Sequence, residues 1–172
     1  MDYIRRYDSP LGGITLASDG TALTGLRFDG RRYSAPAPGR PYPEADLPVF
    51  DEARRWLDCY FSGKAPDFTP KLAPRGTAFR KTVWEILLTI PYGKTVTYGE
   101  IAGRIAETAH IPRMSAQAVG GAVGKNPIAL IIPCHRVVGA GGRLAGYAGG
   151  TDRKANLLDL ECPGGGWRDR IK

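Results

Sequence analysis

Cysteine is scarce in this chain of 172 residues, with three in all, Cys59, Cys134 and Cys162. Three thiols cannot all pair and none stands in a Cys-x-x-Cys spacing. That argues against a disulfide framework or a cysteine-rich zinc site and points to a reducing compartment. Long apolar runs are also lacking, since none approaches the roughly 20 residues of a membrane span. Asp2 and the early pair Arg5-Arg6 have no apolar h-region behind them, so no secretory signal is read. The expected location is cytoplasmic, or nuclear in a cell that has a nucleus. Histidine is rarer still, with only His110 and His135, and no internal repeat or low-complexity tract is present.

Basic residues are not scarce. Lysine and arginine number 24 against 17 acids, a net charge of +7, which favours a polyanionic partner without identifying it. Between Lys71 and Leu130 eight basic residues (Lys71, Arg75, Arg80, Lys81, Lys94, Arg104, Arg113, Lys125) face three acids, Glu85, Glu100 and Glu107. The length allows two small domains, and the punctuation places them. The first thirty residues alternate as β, with Asp19-Gly20 supplying a hairpin turn. From Asp29 to Pro48 five prolines (Pro36, Pro38, Pro41, Pro43, Pro48) remove backbone donors and predict a long surface loop outside any sheet or helix. Phe50, Ala53, Leu57 and Tyr60 then recur at helical spacing, stopped by Gly63. A second proline-marked stretch, Pro66 to Pro74, sets the expected boundary between domains 1–74 and 75–172.

Beyond it the pattern is helical. Phe79, Val83, Leu87 and Ile90 form an apolar stripe ended by Pro91-Tyr92-Gly93. Thr97-Tyr98-Gly99-Glu100 has the form of a capping box, predicting a helix from Tyr98 through Ile105. Ser115 caps a further helix, Ala116 to Val123, made almost wholly of small residues, and the pair suits a helix-turn-helix. Each glycine there costs about 1 kcal/mol of helix stability relative to alanine, so the helix approaches something closely, either a neighbouring helix or a nucleic-acid backbone. Thr151 opens a last helix with Ala155, Leu157, Leu158 and Leu160.

The densest signal is Pro133-Cys134-His135-Arg136-Val137, entered from the apolar run Ile128 to Ile132 and preceded by Asn126-Pro127. A cysteine in such surroundings has little solvent to stabilise a thiolate and is inert unless a neighbour activates it. His135 is adjacent in sequence, yet side chains of neighbouring residues on an extended segment point to opposite faces. Taken alone, a buried cysteine is more often a small hydrophobe, as expected for Cys59 and Cys162.

The motif nevertheless resembles that of the O6-alkylguanine-DNA alkyltransferases. So do Ser9-Pro10-Leu11-Gly12, the helix from Phe79 to Trp84, the run Ile90 to Tyr98, Ala118-Val119-Gly120-Gly121, and Gly146-Tyr147-Ala148-Gly149-Gly150. The resemblance implies an N-terminal ribonuclease-H-like α/β domain and a C-terminal helical, winged-helix-like domain carrying the acceptor cysteine. Cys134 would take the alkyl group, His135 would act as general base through a bound water, and Glu161 would orient the histidine. Tyr98 would assist the leaving guanine, and Asn126 would bond to backbone in the turn before the reactive segment. Tyr147, Ala148 and Gly149 would roof the base pocket. Displacement at a saturated carbon by a thiolate calls for no metal and no cofactor. Its thioether product resists hydrolysis, so each molecule would act once.

The implied partner is double-stranded DNA containing O6-alkylguanine, with O4-alkylthymine a further candidate, bound by a monomer and without a membrane. The lesion must leave the stack to reach an internal cysteine. The small-residue helix would enter the minor groove, with Tyr98, Ser115, Arg113, Lys125 and Arg80 against the nucleic acid. Family members carry arginine just before Ala-Val-Gly, where this chain has Gln117, which lacks both the charge and the guanidinium plane. Three other readings remain: a lesion-flagging alkyltransferase-like protein, disfavoured because it would lack Cys134; a helix-turn-helix transcription factor, disfavoured by a recognition helix poor in polar side chains; and a cysteine protease, disfavoured because His110 lies in a connector.

Overall fold

The computed structural model describes residues 2–30, 42–144 and 146–171, so Pro36, Pro38 and Pro41 of the proline-marked loop lie outside the described residues. The chain divides into two compact units, Met1–Arg75 with Pro127–Ala129, and Gly76–Asn126 with Leu130–Lys172.

In the first unit β1 (Tyr3–Ser9), β2 (Gly12–Ser18) and β3 (Leu23–Phe28) form an antiparallel sheet in that order. The pairing runs from Tyr3 opposite Ser18 to Ser9 opposite Gly12, and Leu16 faces Leu26. Alternation along β2 turns Ile14, Leu16 and Ser18 inward. Helix α1 (Pro48–Phe61) starts with proline in its first turn, where the missing N–H costs nothing, and buries Val49, Phe50, Ala53, Trp56, Leu57 and Tyr60.

The proline-rich stretches are not wholly excluded from the sheet. Ile4 donates its amide to the Pro43 carbonyl, and Ile4 and Glu44 form an isolated parallel bridge. Lys71 and Ala73 bond to both sides of Leu23, and Pro127 and Ala129 do the same to Leu26. Pro43 and Pro127 serve as acceptors at these edges, a role that needs no N–H.

In the second unit the caps predicted at Thr97 and Ser115 are present, and Thr77 adds a third. Thr77 accepts from Arg80 N at the start of α2 (Ala78–Leu88), and Ser115 accepts from Ala118 N before α4 (Ala116–Gly124). Strand β4 (Val96–Thr97) leads into α3 (Tyr98–Thr108) through the full capping box, with Glu100 N bonded to Thr97 Oγ1 and Thr97 N to Glu100 Oε2. The α2 stripe differs in one place. Phe79 is only half-buried, and Trp84 takes the core position, its indole donating to the Ala122 carbonyl at 2.9 Å. Strand β5 (Val137–Val138) pairs parallel with β4, and α5 (Thr151–Glu161) follows.

The reactive segment is a 3-10 turn over Cys134–Arg136 rather than an extended strand. Pro133 sits at φ −81° and ψ 66°, Cys134 N bonds back to Ile132 O at 2.8 Å, and Arg136 N bonds to Pro133 O at 3.0 Å. The tight turn removes the strict alternation that an extended segment would impose on the Cys134 and His135 side chains. Among the described residues no helix is long and apolar enough to cross a membrane.

Candidate active site

Cys134 is 7% exposed and His135 and Lys154 are wholly buried, at the junction of the 3-10 turn and α5. The last residue of α5, Glu161, organises the cluster. Its Oε1 lies 2.6 Å from His135 Nε2 and 3.1 Å from Arg136 Nη2, and its Oε2 accepts from Arg136 Nε at 2.9 Å and Gly93 N at 3.0 Å. The remaining Arg136 amino group donates to the Ile90 carbonyl at 2.7 Å, and the guanidinium lies over the Tyr92 ring at 5.7 Å. Gly93 has φ +75°, and a Cβ there would stand 3.3 Å from the Glu161 carbonyl oxygen, so the Pro91-Tyr92-Gly93 turn brings its amide to the carboxylate with no room for a side chain.

Burial by itself would push the Glu161 carboxyl up, but the hydrogen bonds from His135 and Arg136 outweigh it and hold its pKa at about 2. Glu161 is therefore an anion that can only accept, which places the imidazole proton on Nε2 and leaves the lone pair on Nδ1. Burial lowers the His135 pKa against the opposing pull of Glu161, so the ring is neutral near pH 7. Burial pushes the Cys134 thiol up, partly offset by the hydrogen bond from Asn126 and the charge of Lys154. The resting cysteine is thus a protonated thiol, followed in the chain by a neutral histidine that a carboxylate orients, and its proton has to move before it can react as a thiolate.

The other expected site residues are spread over the second unit, in the turn before Pro133, on α2, at the start of α3, along or beside α4 and in the loop before α5. The Asn126 side-chain amide donates to Ile132 O at 2.8 Å, across the turn that leads into Pro133. Tyr98, the first residue of α3, is half-buried; burial raises its pKa and Cys134 adds to the shift, so the phenol keeps its proton. Its ring packs against Gly120 of α4. Gln117, Ser115, Arg113 and Lys125 are exposed along or beside α4, and Arg80 is half-buried on α2. Gly121 and Gly124 are exposed, and a Cβ at either would meet only open space, so no neighbouring helix accounts for these two glycines. Tyr147 keeps its hydroxyl buried, Ala148 is exposed and Gly149 buried. Burial raises the Tyr147 pKa well above its ordinary value, and proximity to Cys134 raises it further.

Three contributors escaped the sequence reading. Arg136 carries no local sign of its role, yet its fork holds both oxygens of Glu161. Gly93 was a helix stop, yet its amide is the fourth donor to that carboxylate. Lys154 lies two turns before Glu161 on the inward side of α5, and burial lowers its pKa to about 8 while Cys134 pulls it back up. The spacing of seven from Glu161 was a usable signal. Among the described residues no cluster of histidine, cysteine or carboxylate side chains has metal-binding geometry.

Models of two domains match the chain: the ribonuclease-like domain of 6-O-methylguanine DNA methyltransferase over residues 3–74, and the DNA-binding domain of the same family over 78–162. A methylated-DNA--protein-cysteine methyltransferase of Mycobacterium tuberculosis is 47% identical over 161 residues, covering 94% of this chain and 93% of the relative. One of Methanosarcina acetivorans is 46% identical over 159 residues, covering 92% and 97%. The crystal structure of Mycobacterium tuberculosis OGT in complex with DNA superposes with a TM-score of 0.78 at 46% identity, over 92% of each chain. With both domains matched and near-full-length relatives at this identity, the chain belongs to the 6-O-methylguanine DNA methyltransferase family.

Proposed function

We propose that this protein repairs alkylated DNA by moving the alkyl group of O6-alkylguanine onto Sγ of its own Cys134, once per molecule, with O4-alkylthymine a further candidate substrate. The observation that carries the reading is the buried relay from Glu161 to His135, 2.6 Å apart, next to a buried thiol. As the base arrives, His135 Nδ1 draws the thiol proton through a water molecule while Glu161 stabilises the imidazolium that forms. Sulfur attacks the saturated carbon, the C–S bond forms, and the C–O6 bond breaks with its electron pair leaving on guanine. The Tyr98 hydroxyl donates to the departing base, and the proton released from Cys134 ends on guanine, so atoms and charge balance without a cofactor. Tyr147, Ala148 and Gly149 line the pocket. Residues 1–74 and 75–172 act as separate domains, and the reducing cytoplasm keeps the thiol free.

The experiment is intact-mass analysis after incubation with duplex DNA bearing O6-methylguanine. One methyl group gained per chain, mapped to the peptide holding Cys134, is expected. Lesion binding without any mass gain would instead indicate a lesion-flagging protein.

Helix α4 meets the minor groove through its open small-residue face, with Arg113 and Lys125 near its ends facing phosphates and Gln117 filling the space the base leaves. Glutamine contributes no charge. Gln117→Arg should therefore tighten duplex binding and steepen the dependence of log affinity on log salt concentration by about one. Equal binding of the two proteins across a salt series would reject this role for the position.

Lys154 supplies a buried positive charge to the developing thiolate. Its pKa of about 8 lies below the ordinary 10.5, so the unfolded chain binds the proton more tightly, and stability is expected to rise with pH between those values. Lys154→Met should raise stability at pH 7 by on the order of 1–3 kcal/mol, yet move the pH profile of Cys134 alkylation by iodoacetamide to higher pH. Unchanged profiles would remove the lysine from the mechanism.

A further inference from the structure

We infer that the segment Trp167–Ile171 is a positioning strap that sets the loop between β5 and α5, and through it the pocket wall carrying Tyr147 to Gly149. The inference rests on the pocket assignment proposed above.

Residues beyond the last helix of a domain commonly fray unless they are tied down. Here the ties are specific and converge on one loop. Leu144 N donates to Arg170 O at 3.0 Å, and Leu144 and Ile171 form a parallel bridge. Gly142, at φ +79°, approaches Arg170 so closely that a Cβ would stand 2.7 Å from Nη1. The Arg170 guanidinium lies 4.6 Å from the centre of the Trp167 ring. Trp167 itself enters a small apolar cluster with Val138, Leu144, Ala155 and Leu158, against which Ile171 packs. That cluster joins the strand that follows the reactive turn, the pocket loop, and the helix that carries Lys154 and Glu161.

At its far end the loop is tied to α5 by Arg153 Nη1, which donates to Gly149 O at 3.3 Å, and its glycine-rich first half is where the strap acts. It contains four glycines between Gly139 and Gly146, three of them with positive φ, and its local bonds, such as Gly139 N to Arg143 O and Gly142 N to Gly139 O, close the turn upon itself without anchoring it. Three residues beyond Leu144, the Tyr147 hydroxyl is buried close enough to Cys134 to respond to its charge. Trp167 meets the cluster at a cost, because its indole N–H is buried with no acceptor among the described residues. The strap is thus a clamp on a glycine-rich loop whose position decides how the base is held relative to Sγ, while the relay from Glu161 to Cys134 is anchored elsewhere, by Arg136, Gly93 and Asn126.

Two reactions of the full chain separate these parts. Carboxamidomethylation of Cys134 by iodoacetamide, read by peptide mass, needs the relay but no base pocket. Methyl transfer from duplex O6-methylguanine needs both. Trp167→Ala should slow methyl transfer by about ten-fold or more, as expected for a misplaced reactant, and leave carboxamidomethylation within about two-fold. Trp167→Phe should restore transfer to near the wild-type rate. If Trp167→Ala does not fold, Arg170→Ala, which removes only the stacking group, should still lower the ratio of the two rates by about two-fold or more. A parallel fall in both reactions, or unchanged transfer, would overturn the strap. Absence of transfer by the wild-type chain would instead overturn the reading on which it rests.

Discussion

Cys134→Ala is expected to abolish methyl transfer, a loss of at least about 1,000-fold, while lesion-bearing duplex is still bound. Cys134 is the buried cysteine among the described residues and adjoins His135 in the chain. Cys59 is half-buried on α1 and Cys162 is exposed just past the end of α5, and neither is followed by a histidine. Removing one sulfur atom from a 7% exposed position leaves Tyr98, Gln117 and the rest of α4 untouched, and stability should change by no more than about 1 kcal/mol. Labelled methyl remaining on the oligonucleotide, with a retained mobility shift, is the expected pair of results. Methyl appearing on the variant chain would sink the assignment. The pH dependence of the wild-type rate carries the same logic. The base must be neutral, and burial lowers its pKa, so transfer should hold through neutrality and decline only below the ordinary histidine value of 6.5.

Glu161→Gln is expected to cost about 3–5 kcal/mol of stability and to slow transfer by at least about 100-fold. The amide matches the carboxylate in shape but not in charge. One of its ends would present N–H groups to Arg136, Gly93 or His135, all of which donate to the native side chain, and the buried guanidinium would lose its counter-charge. In either orientation His135 would lose the negative charge that stabilises its imidazolium. The sign of the acid response follows from the direction of the shift. The folded-state value of about 2 lies below the ordinary 4.5, so the stabilisation is complete above 4.5 and is lost as pH falls through about 2. Urea melts should show the wild-type chain losing on the order of 3 kcal/mol to this group across that window, and the variant a flatter curve. Parallel curves for the two proteins would exclude Glu161 as the group responsible.

Much of the second unit was legible because its signals are local. A threonine three residues before a glutamate, or a serine before a run of small residues, can satisfy free helix amides only at a helix start, and the structure has α3 and α4 starting at Tyr98 and Ala116. The glycines of α4 were readable as a close approach but not as to what. Their open surroundings at 121 and 124 emerge only when the neighbouring helices are placed. The proline stretches misled in part, because proline forbids donation and says nothing about acceptance. Pro43 and Pro127 accept at sheet edges. The extended form expected around Cys134 also gave way, since the bond from Cys134 N to Ile132 O folds the chain at Pro133.

By itself the sequence determined the order of elements, their caps, the basic balance and the family to which the reactive motif points, since each depends on residues within a few positions of one another. Which groups complete the site was decided by tertiary structure alone. Gly93, Arg136 and Lys154 carry no local mark of their role. It comes from α5 laying Glu161 between the Pro91-Tyr92-Gly93 turn and the reactive 3-10 turn. Protonation states were decided there too. Whether Cys134 rests as thiol and Glu161 as anion depends on how much water is excluded and how many donors converge, and those quantities exist only once the chain is packed.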